Sequence, residues 1–517
     1  MYLIITASKD TYITNKIIDN DFRAKDANVG RAGTIDIFKL YDESTYLSGS
    51  TRITGSVREG SRGLIKFDYG SLESLTGSSI DINSSRFKAT LKMFDIMAGQ
   101  ATPSGFNMVV YPLSQSFDEG VGRDVASFGD LDVANWVTAS YSNSTVNAWN
   151  KSGSNSGGFL NATNIDYITS GTVGSSTVDF GGSQYFKTGN EDLEIDVTKI
   201  VSASLAGILT NHGFRVSFSG SDDTDNKSRF VKRFASRHSS NPLKVPQVHV
   251  QWDDSIEDHH NDFVFNTSGS IFLRNYVRGK PSNFVSGSSF TSISGDDCIL
   301  FKIEVQDYVQ YLSASQHTAG TDDSAITGLY SASFAVSSFE KNNVNSSGQK
   351  MSDLIEKSGS VKFKTFWLSA DESIGYYTGS LEISPSRKSY FKRQPSDLLF
   401  HFVNLQPEYQ TTDKTFITVF VEDLSLEDKV YKIPYSKTSV SLSDVYYRVR
   451  DMATNTVVIP FDSDYKSTQL SSDGGGLSFY FHMSSLPKGR VYCFDLLVKD
   501  YGENRTYSEA SGRFKVI

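Results

Sequence analysis

The sequence predicts an all-β protein, on three observations. Aromatic residues reach 13%, carried by 35 Phe and 26 Tyr, and aromatic and β-branched side chains suit a half-buried pleated surface. Apolar residues alternate at period two in many short runs. In the clearest, Phe87, Ala89, Leu91 and Met93 share one face, with Lys88, Thr90 and Lys92 on the other. Gly, Ser, Thr and Asn fill the gaps, where turns need them. A chain of 517 residues exceeds what one core accommodates, so several domains are expected. The reading is a β-sandwich over residues 1–253, a second β-sandwich over 263–385 and an immunoglobulin-like β-sandwich over 396–517.

Within the first, strands are expected around residues 3–5, 11–14, 34–38, 63–67, 87–94 and 107–111, with a short helix or turn near Leu72 and Leu75. Residues 116–190 then lose periodicity. They are rich in Gly, Ser, Asn and Asp and carry Trp136 and Trp149. Such a long excursion is usually functional or interface-forming, so it is expected to fold back on something and to serve as an interface arm. Strand alternation returns at 193–197, 214–218 and 248–252, with a helix expected from Thr198 to Leu209. The polar run 254–262 and the basic run 386–395 read as linkers, and alternating strands continue on both sides of the second.

The net charge of −9 argues against a nucleic-acid partner, since phosphate binding needs clustered Lys and Arg. The basic stretch 227–237 reads as outward-facing positions on a strand. The two cysteines, Cys298 and Cys493, fall in different expected domains, which excludes a disulfide framework and points to folding in a reducing cytosol. The first ten residues read as a strand rather than a signal peptide, and no run approaches the ~20 apolar residues of a membrane span.

Candidate chemistry is sparse, and the expectation is no catalytic residue, cofactor or metal. His259 and His260 sit among Asp253, Asp254, Asp258 and Asp262, but neighbours on an extended strand point to opposite faces. Residues Asp222 to Lys227 lack the Gly and terminal Glu of a calcium loop and read as a polar hairpin turn. Asp118 and Glu119 have no second carboxylate that spacing can place, and read as a turn or strand end. No nucleophile elbow or phosphate-binding loop occurs in the sequence. Trp136 and Trp149 are the candidates for glycan stacking or an interface, with burial the commoner fate of a tryptophan.

Several fragments in order carry a resemblance. They are Asp10-Thr11-Tyr12, Arg62 to Asp68, Phe117 with Glu119-Gly120, Asp196-Val197-Thr198, and Ser236-Arg237 leading to a Pro246-bearing strand. Together they resemble the DNRLRE-type module, a jelly-roll-like sandwich related to carbohydrate-binding modules. That family has Trp where Phe117 stands and Glu where His238 stands, which leaves the role of that Glu open here. The later strings 269–279, 445–451, 458–462 and 487–492 resemble accessory virion proteins of T-even-like marine and cyanobacterial myophages.

The resemblances imply a non-enzymatic structural protein of a tailed-phage virion, in tail, baseplate or neck. It would be a symmetric homo-oligomer bound to other virion proteins, with no nucleic acid and no membrane. The alternative is a glycan-binding adhesin or fibre component that uses the N-terminal module. A polysaccharide-degrading enzyme would rest on fold analogy alone.

Overall fold

The structure, a computed structural model, describes residues 1–517 apart from 49, 78, 98–101, 261–262, 279, 288–289, 322, 338–343, 386–396, 425–438, 441, 474–475, 501–502 and 509–511. It is all-β, with a few short helices. Two compact units emerge: Tyr2–Glu73 with Ile82–Gln251, and Met1 with Ser74–Asp81 and Trp252–Ile517. The expected basic linker at 386–395 lies outside the described residues.

In the unit beginning at Tyr2, one strand serves two sheets. Tyr2–Thr14 pairs through Tyr2↔Gln251 to Thr6↔Gln247, then turns to a second partner from Ala7↔Phe67 to Thr14↔Ser61, with a bulge between Ala7 and Lys9. Bulged strands that switch sheets make the corners of a sandwich. On one side lie Gln247–Gln251, Lys88–Met93 and Leu193–Asp196; on the other lie Thr51–Phe67, Phe214–Phe218, Phe106–Pro112 and Gly182–Phe186. The buried residues alternate as the sequence pattern requires: Lys88–Met93 buries Ala89, Leu91 and Met93. The expected helix forms at Thr198–Leu205 and buries Ile200, Val201 and Ala203.

The outer face of the second sheet is also buried. Ile13 and Leu64 on that face join Leu113, Phe117, Ala134, Trp136, Ala139 and Trp149 in one apolar cluster. The excursion therefore forms a third layer on its own sandwich. It contains the hairpin Thr138–Ser142/Thr145–Ala148 and a small sheet of Gly157–Phe159, Tyr167–Val173 and Ser176–Asp179. It does fold back, as the tryptophans suggest, and forms a covering layer.

A different segment leaves the sandwich. Thr34–Ser48 pairs with Thr51–Phe67 from Lys39↔Gly60 out to Ser48↔Thr51. Beyond Lys39 the neighbouring strand Arg229–Ala235 stops, and the short Phe22–Arg23 strand touches the ribbon at Phe22↔Leu47. The ribbon runs on for about 27 Å at ~3.3 Å per residue. Thr51, Arg52, Ile53 and Thr54 along it are exposed.

The second unit repeats the layered plan. Ser268–Arg274, Ser324–Ala335, Tyr308–Ala319, Ile299–Val305, Val361–Ser369 and Gly375–Ile383 are hydrogen-bonded in that order around a core with Phe301, Phe334 and Trp367. The later strands form two sheets, one centred on Lys414–Asp423 and Gly476–His482, the other on Val445–Asp451 and Arg490–Asp500. Rings of Tyr447, Phe479, Phe481 and Phe494 pack together there, with centroids 4.5–6.0 Å apart. The polar run 254–262 is not a free linker: Ile256 N–H donates to Ser471 Oγ, and Glu257 pairs with Lys466 at 2.6 Å.

Candidate functional site

Three of the weak sequence fragments converge in space. Asp10 lies on the strand that switches sheets, Glu119 in the turn that opens the excursion, and Arg237 and His238 just after Arg229–Ala235. Arg237 grips Glu119 with two hydrogen bonds, Nε to Oε1 at 2.6 Å and Nη2 to Oε2 at 2.7 Å. The Asp10 N–H donates to Glu119 Oε1 at 2.9 Å, and the Arg237 N–H donates to Asp10 Oδ2 at 2.5 Å. His238 Nε2 stands 3.6 Å from Glu119 Oε1. Asp10 is 1% exposed. Burial pushes its carboxyl up to about 7; the Arg237 N–H opposes this, and the Glu119 charge adds to it.

Backbone packing holds Glu119 in place. The buried Asn28 donates to the carbonyls of Glu119 and Ala134, and its Oδ1 accepts the N–H groups of Gly30 and Gly122. A Cβ at Gly30 would meet the Glu119 carbonyl at 1.9 Å, and one at Gly122 would meet the Asn28 carbonyl at 1.9 Å. These glycines permit the close approach of two chain segments. Phe117, 1% exposed, anchors the same turn in the apolar cluster.

The basic stretch is only partly outward-facing: Lys227 is exposed, but Arg229 and Lys232 are buried. Arg229 pairs with Asp222 and Asp225, Lys232 with Asp95, and Arg233 with Asp36. Lys232 is 0% exposed and Arg229 6%. A buried charge persists only when paired, and apart from the local acids of Arg229 the partners lie 137 and 197 residues away. The acids expected in a polar hairpin turn have the matching role. They lie on and after the short helix Gly220–Thr224, where Asp223 takes Arg62 and Asp225 also takes Lys39.

Trp136 and Trp149 are buried, 8% and 5% exposed, so neither offers a surface for a sugar ring or a second protein. Trp149 Nε1 donates to the Asn135 carbonyl, and Gly153 packs so tightly on Trp136 that a Cβ would come within 2.4 Å of its ring. Beneath the same layer Arg62 and Arg215 share Asn155 Oδ1, each at 3.3 Å, and Arg215 lies over Tyr167.

A polar groove of about 380 Å³ opens on the excursion itself, lined by residues that include Gln115, Asp118, Tyr141, Asn147 and His212. Tyr141 is 42% exposed there, and burial followed by Lys66 lowers the His212 pKa. Asp118 accepts the Tyr141 N–H and pairs with Lys9, so Asp118 and Glu119 point to separate tasks. The His259 N–H donates to the Ser270 carbonyl while its Nδ1 accepts the Ser270 N–H, and the His260 N–H donates to Asp258. Among the described residues, the trio of metal-type ligand atoms gathered within 4.8 Å is Asp10, Glu119 and His238. Sequence reading had singled out no groove residue except Asp118, because the groove is assembled from strand ends with no shared spacing.

No family model matches the chain, and no curated protein matches it. Among solved structures, it is similar to the fibronectin(III)-like modules of Clostridium thermocellum CbhA, at 9% identity and TM-score 0.13, over 51% of this chain and 90% of that one. It is also similar to a titin structure, at 6% identity and TM-score 0.14, over 51% of this chain and 93% of that one. At these values the likeness carries no functional argument; the β-sandwich architecture stands on the strand pairing above.

Proposed function

We propose that this chain is a non-enzymatic structural protein of a tailed-bacteriophage virion, assembling through domain–domain contacts in the tail, baseplate or neck. The observation that carries the assembly reading is the ribbon formed by Thr34–Ser48 and Thr51–Phe67. An isolated two-stranded ribbon is only marginally stable in water, and free strand edges pair readily with other chains. A ribbon that outruns its sheet is suited to reach a neighbouring subunit, and repetition around a symmetry axis multiplies weak contacts. The phage assignment draws its support from the virion-protein resemblance of residues 269–279, 445–451, 458–462 and 487–492. Quantitative mass spectrometry of gradient-purified particles tests it. The expected result is a copy number that matches a symmetric ring; absence of the chain from the particles overturns the reading.

The groove favours a second reading, a glycan-binding fibre or adhesin component. Amide, carboxylate and hydroxyl groups beside an exposed tyrosine are the chemistry that recognises sugars. Because Trp136 and Trp149 are buried, the discriminating variants are Tyr141→Ala and Asn147→Ala on a glycan array. Saccharide binding that both variants abolish would favour this reading over assembly.

A further inference from the structure

We propose that Asp10, Glu119 and His238 form a binding site for a divalent transition-metal ion. This inference is independent of the assembly reading. One ligand atom from each residue lies within 4.8 Å of the others, and the three come from segments far apart in sequence. The 3.6 Å between His238 Nε2 and Glu119 Oε1 is too long for a hydrogen bond. It is close to the ~3.0–3.5 Å that separates two ligands each held ~2.1 Å from one ion.

A second observation concerns charge. Asp10 is a buried carboxyl whose Oδ2 accepts a peptide N–H, and the Arg237 guanidinium hydrogen-bonds Glu119 and acts on Asp10 only through space. Among the described residues no lysine or arginine side chain hydrogen-bonds Asp10, although it faces a second carboxylate. An ion held between Asp10 and Glu119 would cancel that repulsion. Arg237 then acts in the outer sphere, fixing the orientation of Glu119 as hydrogen-bonded partners of ligating carboxylates do. Mixed carboxylate and imidazole donors suit Zn²⁺ or Co²⁺ better than Ca²⁺ or Mg²⁺. Three protein ligands leave a coordination position open. The bound ion would tie the switching strand, the excursion and the end of Arg229–Ala235 together.

The experiment is calorimetric titration of the EDTA-stripped full chain with ZnCl₂ at pH 7.5, alongside thermal melts. The expected result is binding at one site that raises the melting temperature. His238→Ala should weaken it at least tenfold while the metal-free variant melts within a few degrees of the parent, since His238 is partly exposed. Should that variant fail to fold, Co²⁺ absorption bands of the parent chain, lost in His238→Gln, decide the matter. No heat and no melting shift, or binding unchanged in both variants, overturns the proposal.

Discussion

At the residue scale, buried charge is handled by long-range pairing. Arg237→Ala should cost about 1–3 kcal/mol, because it strands Glu119 in a largely buried setting and the pair's partial exposure limits the loss. A chemical-denaturation midpoint measures it. Gly30→Ala should cost about 3 kcal/mol through the clash with the Glu119 carbonyl. The pH dependence has two opposing parts. His249, enclosed by Tyr2 and Gln247, has its pKa lowered by burial to about 3, so acid favours the unfolded chain as pH drops below about 6.5. The raised carboxyl of Asp10 acts oppositely: the folded state takes up a proton as pH falls from about 7 toward 4, and gains stability. Asp10→Asn should therefore make the melting temperature fall more steeply between pH 7 and 5 than in the parent chain; an unchanged slope would contradict this. Little of the cluster was legible in the sequence. Glu119-Gly120 and Ser236-Arg237 were visible as fragments of a resemblance. Nothing in their spacing showed that Arg237 would close on a carboxylate 118 residues away.

At the element scale, regular strands were legible and the covering layer was not. Lys88–Met93 declares itself because alternation reports a sheet with one buried face. The excursion has no period, because its buried residues meet the outer face of a sheet through contacts such as those that cluster Trp149 with Leu64 and Ile13. Arg62, Arg215 and Ser217 interrupt that sheet face with polar groups, which hides it as a packing surface. The same blindness made the basic run 227–237 look like surface. Trp136→Ala should cost about 3–5 kcal/mol, as removal of a buried tryptophan does. It should expose the excursion to limited proteolysis. Loss of a binding activity without loss of stability would contradict the layer. Replacing the ribbon tip, residues 42–57, with a short turn should leave the melting temperature within a few degrees, since none of its described side chains is buried.

At the whole-molecule scale, the chain consists of β layers whose cores are rich in aromatic rings, Phe67, Phe301, Phe494, Tyr330 and Tyr447 among them. Such layers keep loops and strand edges in fixed positions, as an assembling protein requires. Asp451 and Asp495, both 0% exposed, are held by Arg490 and by Arg448 with Arg450 in the last sandwich. The Arg490 guanidinium lowers the Asp451 carboxyl to about 2, so its contribution is present above about pH 4 and is lost as pH falls toward 2. The all-β class was readable from composition and alternation; the ribbon as the outreaching element was not, because exposed and buried strands share one propensity. The most direct measurement is a density map of intact phage particles at a resolution that traces strands. The account predicts the chain in a symmetric ring of tail, baseplate or neck, with the 40–59 ribbon pressed against a neighbouring subunit. Particles without the chain, or a ring in which every ribbon stands free in solvent, would contradict it.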